Sequence, residues 1–158
     1  MFSRAHAIIQ ATNCSRKPLT MVKDFEILEH TADVGIVAHG DGIRQAFANA
    51  ARGLSSIITN LDDIDEGLHW DITVEADERE DLLVAWLNEL IYLFDVEAII
   101  FKRFDITQMS NTRLKARAYG EKIDSRKHII NTGVKAATYH LLKVEADDGC
   151  RVQVLFDI

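Results

Sequence analysis

Two short runs near the start of the chain have the patterns of β-strands. Phe25 and Ile27 alternate with glutamates, which is the period-two pattern of a half-buried strand. The apolar run 34–38 predicts a second strand, and the sequence His-Gly-Asp-Gly at 39–42 predicts a turn after it. A polar interruption at 31–33 separates the two strands.

Two longer segments repeat their apolar residues at helical spacing, with polar residues opposite. Each therefore predicts an amphipathic helix packed on a core. Before the second helix, residues 70–74 alternate as a strand, and Asp77 with Glu80 has the pattern of a capping box. The apolar stripes are Ile43, Ala46, Phe47, Ala50, Leu54, Ile57 and Ile58 in the first helix, and Leu82, Leu83, Trp86, Leu87, Leu90, Leu93 and Phe94 in the second.

The last third of the chain is predicted to form strands. A polar stretch at 120–133 interrupts them, and Asp147-Asp148-Gly149 supplies a hairpin turn. Because strict alternation of strand and helix stops after the second helix, the order favours an α+β fold, with a mostly antiparallel sheet packed against two amphipathic helices. The predicted strands span 98–106, 113–119, 134–144 and 151–158.

Size and charge restrict the function classes. The 158 residues fit one domain, and the composition of 47% hydrophobic and 27% charged residues is that of a globular protein. The formal net charge of −7 argues against broad contact with nucleic acid, whose phosphates would repel the protein. A protein that holds RNA could still be a partner.

The first twenty residues differ in composition from the rest and precede a second methionine, Met21. We predict that residues 1–20 are a loosely attached N-terminal extension and that 21–158 form a single domain. Cys14 and Cys150 form no CxxC pair and no disulfide framework typical of secreted domains, and no apolar run reaches the roughly 18 residues of a membrane span. These features favour a cytoplasmic protein.

Two aspartates are the candidate chemistry of the chain. Asp33 lies in the interruption between the first two strands, and Asp157 stands beside the terminal carboxylate of Ile158. A hard divalent cation takes several oxygen ligands, and these groups would supply three anionic ones if both ends of the domain meet. The pattern alone favours a plainer interpretation, in which Asp33 caps a turn and Asp157 is a solvated strand end.

Other motifs point to no self-contained enzyme. The histidines form no HExxH or Cys/His cluster, and Gly40-Asp41-Gly42 lacks the context of a phosphate-binding loop. Lys135 has the pattern of an exposed strand lysine. Arg113, Lys115 and Arg117 share one strand face, which fits either a basic stripe for an acidic partner or a solvated edge whose charges oppose aggregation.

Five segments in order make the chain similar to the archease family, and the similarity runs from about Asp24 to Ile158. One such segment would be weak evidence, but five in the same order, with the chain ending where the family ends, are specific. The segments are HTADVG at 30–35, AFANAARG at 46–53, WLNELIYLF at 86–94, KAATYH at 135–140 and FDI at 156–158.

The resemblance implies a non-enzymatic activator of the GTP-dependent RNA ligase that joins tRNA halves in splicing. Archeases promote guanylylation of the ligase and so sustain its turnover. The resemblance also implies a divalent metal, calcium in family structures with magnesium or manganese as alternatives, held by Asp33, Asp157 and Ile158. It thereby reverses the plainer interpretation of the aspartates. Lys135 matches a family lysine that contributes to activation, and His30 is expected beside the metal ligands.

The partner implied is the ligase, with RNA contacted only indirectly, and the expected state is a monomer. Two other functions stay open. A stand-alone metal-dependent hydrolase or nuclease would use the same carboxylates. A chaperone-like binding module would fit the compact α+β layout and the acidic surface.

Overall fold

The computed structural model of the chain describes residues 23–29, 33–146 and 149–158. Seven strands and two helices cover most of them, and a short 3-10 turn spans Leu61–Asp63. The predicted extension, residues 1–20, and the predicted turn residues Asp147 and Asp148 lie outside the described residues. In chain order the elements are β1 Phe25–Glu29, β2 Asp33–Gly40, α1 Ile43–Ile58, β3 Leu68–Glu75, α2 Arg79–Glu97, β4 Ile99–Met109, β5 Arg113–Lys122, β6 Ala136–Glu145 and β7 Cys150–Asp157.

All strand pairs among the described residues are antiparallel, so the predicted α+β class is confirmed. The strands divide between two sheets, with order β1-β2-β7-β6 in the first and β3-β5-β4 in the second. The first sheet therefore joins strands from the two ends of the chain, and the second is built from its middle.

The core lies where the two helices meet both sheets, since α1 and α2 each contact strands of each sheet. Trp86 of α2 is fully buried and packs edge-on against Phe104, with ring centroids 5.9 Å apart. Its indole N–H donates to the main-chain oxygen of Phe47 on α1 at 3.1 Å. A buried polar group thus has a partner, and the bond ties the two predicted apolar stripes together.

The start of α2 differs from the sequence prediction. The residue before its first turn is Glu78 rather than Asp77, and Glu78 makes no side-chain capping bond. The predicted capping box is therefore wrong. The acidic first turn, with Glu80 and Asp81, still places negative charge at the positive end of the helix dipole.

α1 runs back along β2 after the short turn between them. A side-chain carbon on Gly53 would lie 2.9 Å from Cδ1 of Ile36, so the helix backbone approaches the strand closely at this point. Because Gly53 lies over Ile36, the last turn of α1, ending at Ile58, reaches the end of the sheet where β2 begins at Asp33.

Candidate functional site

The pairing of β2 with β7 places Asp33 directly opposite Asp157. Directly opposite residues in an antiparallel pair project to the same face, with Cβ atoms about 4.5–5.5 Å apart. The next pair along, Val34 and Phe156, is buried in the core. Since side chains alternate along a strand, the two aspartates lie on the opposite face, with Asp157 exposed.

The start of β6 lies beside Asp157 at the same end of the sheet. Ala136 pairs with Asp157, and the main-chain N–H of Lys135 donates to the main-chain oxygen of Asp157 at 2.8 Å. Lys135 and Ile158 are both exposed there. We name Asp33, Asp157 and the terminal carboxylate of Ile158 the acidic tip. The structure thus brings Lys135 and the three predicted metal ligands to one end of the first sheet, whereas His30 lies outside the described residues.

The glycine of the HTADVG segment has a steric role beside this site. A side-chain carbon on Gly35 would collide with the side chain of Leu155 and lie 3.0 Å from the main-chain oxygen of Val154. Leu155 is buried opposite Gly35. The absence of a side chain at this position therefore lets β7 pack closely against β2 two residues before Asp157.

Asn88 on α2 is a supporting residue that the sequence reasoning missed. Its side-chain oxygen accepts a hydrogen bond of 2.8 Å from the main-chain N–H of Ala137. The bond attaches the start of the edge strand β6, next to Lys135, to helix α2. The available signal was a polar residue inside the apolar run WLNELIYLF, where a polar side chain needs a partner.

Comparison with known proteins gives the family. The model of the archease protein family matches residues 25–158. The chain belongs to the archease family. It is 39% identical to the archease of Pyrococcus furiosus over 127 residues, covering 78% of this chain and 89% of the relative, and 34% identical to that of Methanosarcina mazei over 141 residues, covering 86% and 97%.

Two solved structures share this archease fold. The solution structure of protein 1598 of Methanobacterium thermoautotrophicum has a TM-score of 0.73 at 29% identity, covering 87% of this chain and all of that one. A crystal structure of an archease from Thermotoga maritima, described as a possible chaperone, has a TM-score of 0.58 at 28% identity, covering 90% of this chain and 97% of that one. Neither helix in the described part of our archease is long and apolar enough to cross a membrane.

The donor atoms of the acidic tip suit a hard cation better than a soft one. Within the described ranges no three side chains of His, Cys, Asp or Glu are grouped so that they could hold an ion. The tip itself offers two carboxylate side chains, Asp33 and Asp157, and the third donor would be the main-chain carboxylate of Ile158. Oxygen-only donors with high negative charge favour calcium, magnesium or manganese over zinc or copper.

A second polar cluster fixes the segment between β5 and β6, which we call the connector (residues 123–135). The His128 side chain is fully buried. Its Nδ1 accepts from the main-chain N–H of Asp124 at 3.0 Å, so the ring is neutral with its proton on Nε2, which donates to Glu121 Oε2 at 2.9 Å. Because both ring nitrogens are bonded, His128 anchors the connector.

Glu121 is the centre of this cluster. The Lys127 ammonium lies 2.7 Å from Glu121 Oε2 and 2.7 Å from Asp65 Oδ2, and the main-chain N–H of Asp65 donates to the same Glu121 oxygen at 2.8 Å. Burial raises the pKa of Glu121, but the bonds from Lys127, Asp65 and His128 together lower it to about 2. The carboxylate stays ionised and joins the connector to the loop that follows α1.

Two of the three cations in the basic stripe on β5, Arg113 and Arg117, are paired with acidic residues within the sheet. Arg117 makes an ion pair with Asp71 at 2.8 Å, which raises the pKa of Arg117, and Arg113 lies 3.6 Å from Glu75. β5 is the central strand of its sheet, so the interpretation as an edge is wrong. The paired acidic residues also remove most of the positive field that an acidic partner would need.

Proposed function

We propose that this archease is an accessory factor that activates the GTP-dependent RNA ligase of tRNA splicing by promoting its guanylylation and turnover. The observation that carries the proposal is the register that sets Asp33 opposite Asp157 beside the chain terminus. Membership of the family supports the same function. The protein would act in the cytoplasm as a monomer, with the ligase as its partner and RNA contacted only through the ligase.

In this proposal the acidic tip holds a divalent cation. Asp33, Asp157 and the carboxylate of Ile158 would be its protein ligands, and calcium is the expected ion, with magnesium or manganese as alternatives. Three anionic groups are fewer than the six to eight oxygen ligands that calcium takes, which leaves positions for water or a partner. When bound, such an ion supplies positive charge that can neutralise phosphate oxygens.

Lys135 would contribute a positive charge beside the tip. Its main chain is bonded to Asp157, and its ammonium makes no ion pair within the described part of the chain. An exposed and unpaired ammonium next to carboxylates can bind an anionic group of a partner, such as a phosphate. The bond fixes the main chain of Lys135 beside Asp157, so its side chain starts from a defined point next to the carboxylates.

The test is a guanylylation and ligation assay with the ligase from the same genome. Asp33→Asn and Asp157→Asn keep size and remove charge, and we expect either to abolish stimulation while the melting temperature stays near that of the wild type. Asp62→Asn removes one charge from the exposed 3-10 turn and is the matched control. Full stimulation by both tip variants would refute the proposal.

The end of the chain offers an independent test of the same site. Residues added after Ile158 convert its carboxylate into an amide and so remove one of the three anionic groups. We expect a C-terminal tag to reduce stimulation and a tag at the other end to leave it unchanged. Equal stimulation with both tags would exclude the terminal carboxylate from the site.

The description of the Thermotoga relative as a possible chaperone supports a second candidate, a general binding module for unfolded proteins. Suppression of aggregation of unrelated client proteins, unaffected by Asp33→Asn, would favour that function. Metal-dependent cleavage of RNA or nucleotide by the purified protein without ligase would instead favour a hydrolase acting at the same carboxylates.

A further inference from the structure

Two isoleucines on the connector are exposed although the segment around them is firmly attached. Ile129 keeps 73% of its surface in water and Ile130 keeps 41%. His128, directly before the pair, and Val134, four residues after it, are buried. Single exposed apolar residues are common on protein surfaces, but two adjacent large ones on an anchored loop form a local apolar patch.

Hydrogen bonds hold the main chain on each side of this patch. Thr59 Oγ1 donates to the main-chain oxygen of Ile129 at 2.7 Å, and the main-chain N–H of Asn131 donates to the oxygen of Ile58 at 2.7 Å. The buried His128 fixes the residue before the pair. The main chain that carries the two side chains is therefore fixed, so that little backbone freedom is left to lose on binding.

The same bonds locate the patch beside the acidic tip. Ile58 ends α1, whose last turn lies at the end of the sheet where Asp33 begins β2. Four residues after Asn131, the main chain of Lys135 is bonded to Asp157. The patch thus lies between the end of α1 and the start of β6, on the end of the molecule that carries the tip.

We infer that Ile129 and Ile130 form the apolar part of a docking surface whose charged part is the acidic tip. The inference rests on the proposed function, and its occupant is the ligase. The matching surface on the partner is an apolar recess next to its bound nucleotide. The phosphates of that nucleotide would face the Lys135 ammonium and the cation held by the tip, which sets the orientation, and burial of the isoleucines supplies affinity.

The experiment compares Ile129→Ser/Ile130→Ser with wild type in direct binding to the ligase and in the ligation assay. Removing two buried anchors should raise both Kd and the half-maximal concentration by about tenfold to a hundredfold. Stimulation at saturating concentration should be unchanged, because the tip is intact. Ile27→Ser is the matched control, since Ile27 is 43% exposed on β1, at the opposite edge of the sheet from β6.

The two proposals fail in different ways. Wild-type protein that binds the ligase but does not stimulate it refutes the function and leaves docking to be judged by the binding data. Wild-type Kd for the double variant, equal weakening by Ile27→Ser, or no binding of the ligase by the wild type each overturns the docking surface. A tip variant that binds normally but does not stimulate, together with a weakened double isoleucine variant, supports both.

Discussion

Replacing Glu121 with glutamine tests whether the polar cluster holds the connector. The variant keeps the shape of the side chain but removes the charge that faces Lys127 and His128, both within 3 Å of Oε2. A pKa lowered from its ordinary 4.5 to about 2 corresponds to at most about 3–4 kcal/mol of stability. Because Glu121 keeps 20% of its side-chain surface in water, we expect about 1–2 kcal/mol at pH 7.

The loss should depend on pH in one direction. A carboxyl whose pKa is lower in the folded state stabilises the protein above its unfolded pKa, and this contribution disappears as the pH falls toward the folded value. The difference between Glu121→Gln and wild type should therefore be constant from pH 7 to about 5. It should shrink from about pH 4.5 and vanish near pH 2.

Urea denaturation at several pH values measures this difference. Asp62→Asn removes the same charge from an exposed site and should change stability by less than about 0.5 kcal/mol. A difference below that of the control at pH 7, or one that persists unchanged to pH 3, would contradict the assigned role of Glu121. If Glu121→Gln also lowers affinity for the ligase while the tip is intact, the polar cluster is needed to hold Ile129 and Ile130 in their binding position.

Two further substitutions test the edge strand β6. Asn88→Ala leaves the N–H of Ala137 without its acceptor and should lower the free energy of unfolding by about 1–2 kcal/mol. Hydrogen exchange at the Ala137 amide should accelerate. Unchanged protection of that amide would show that the bond is dispensable. Leu141 has φ 55° in a bulged part of β6, so Leu141→Gly should not destabilise the protein and should raise its melting temperature by a few degrees, corresponding to about 0.5–1 kcal/mol. A lower melting temperature for that variant would mean that contacts of the leucine outweigh its backbone strain.

Periodicity along the chain was enough to predict the elements of the fold. The two helices and the strands of the described residues lie close to their predicted bounds, because local alternation and helical spacing decide which face of each element can be buried. The buried stripe around Trp86 is an example. The capping box at Asp77 was wrong because the residue at the start of the helix is Glu78, one residue later, and local patterns fix helix ends poorly.

Which strands pair was decided by the tertiary structure. Pairing depends on how two helices and two sheets share one core, and strands from opposite ends of the chain carry no local mark of their partner. The sequence pattern made Asp33 and Asp157 candidate ligands, and the family resemblance predicted that they share one metal site. Only the β2–β7 register places them opposite each other. The anchoring of Ile129 through Thr59 and His128 had no signal in the polar pattern of that segment, since it arises from contacts between distant residues.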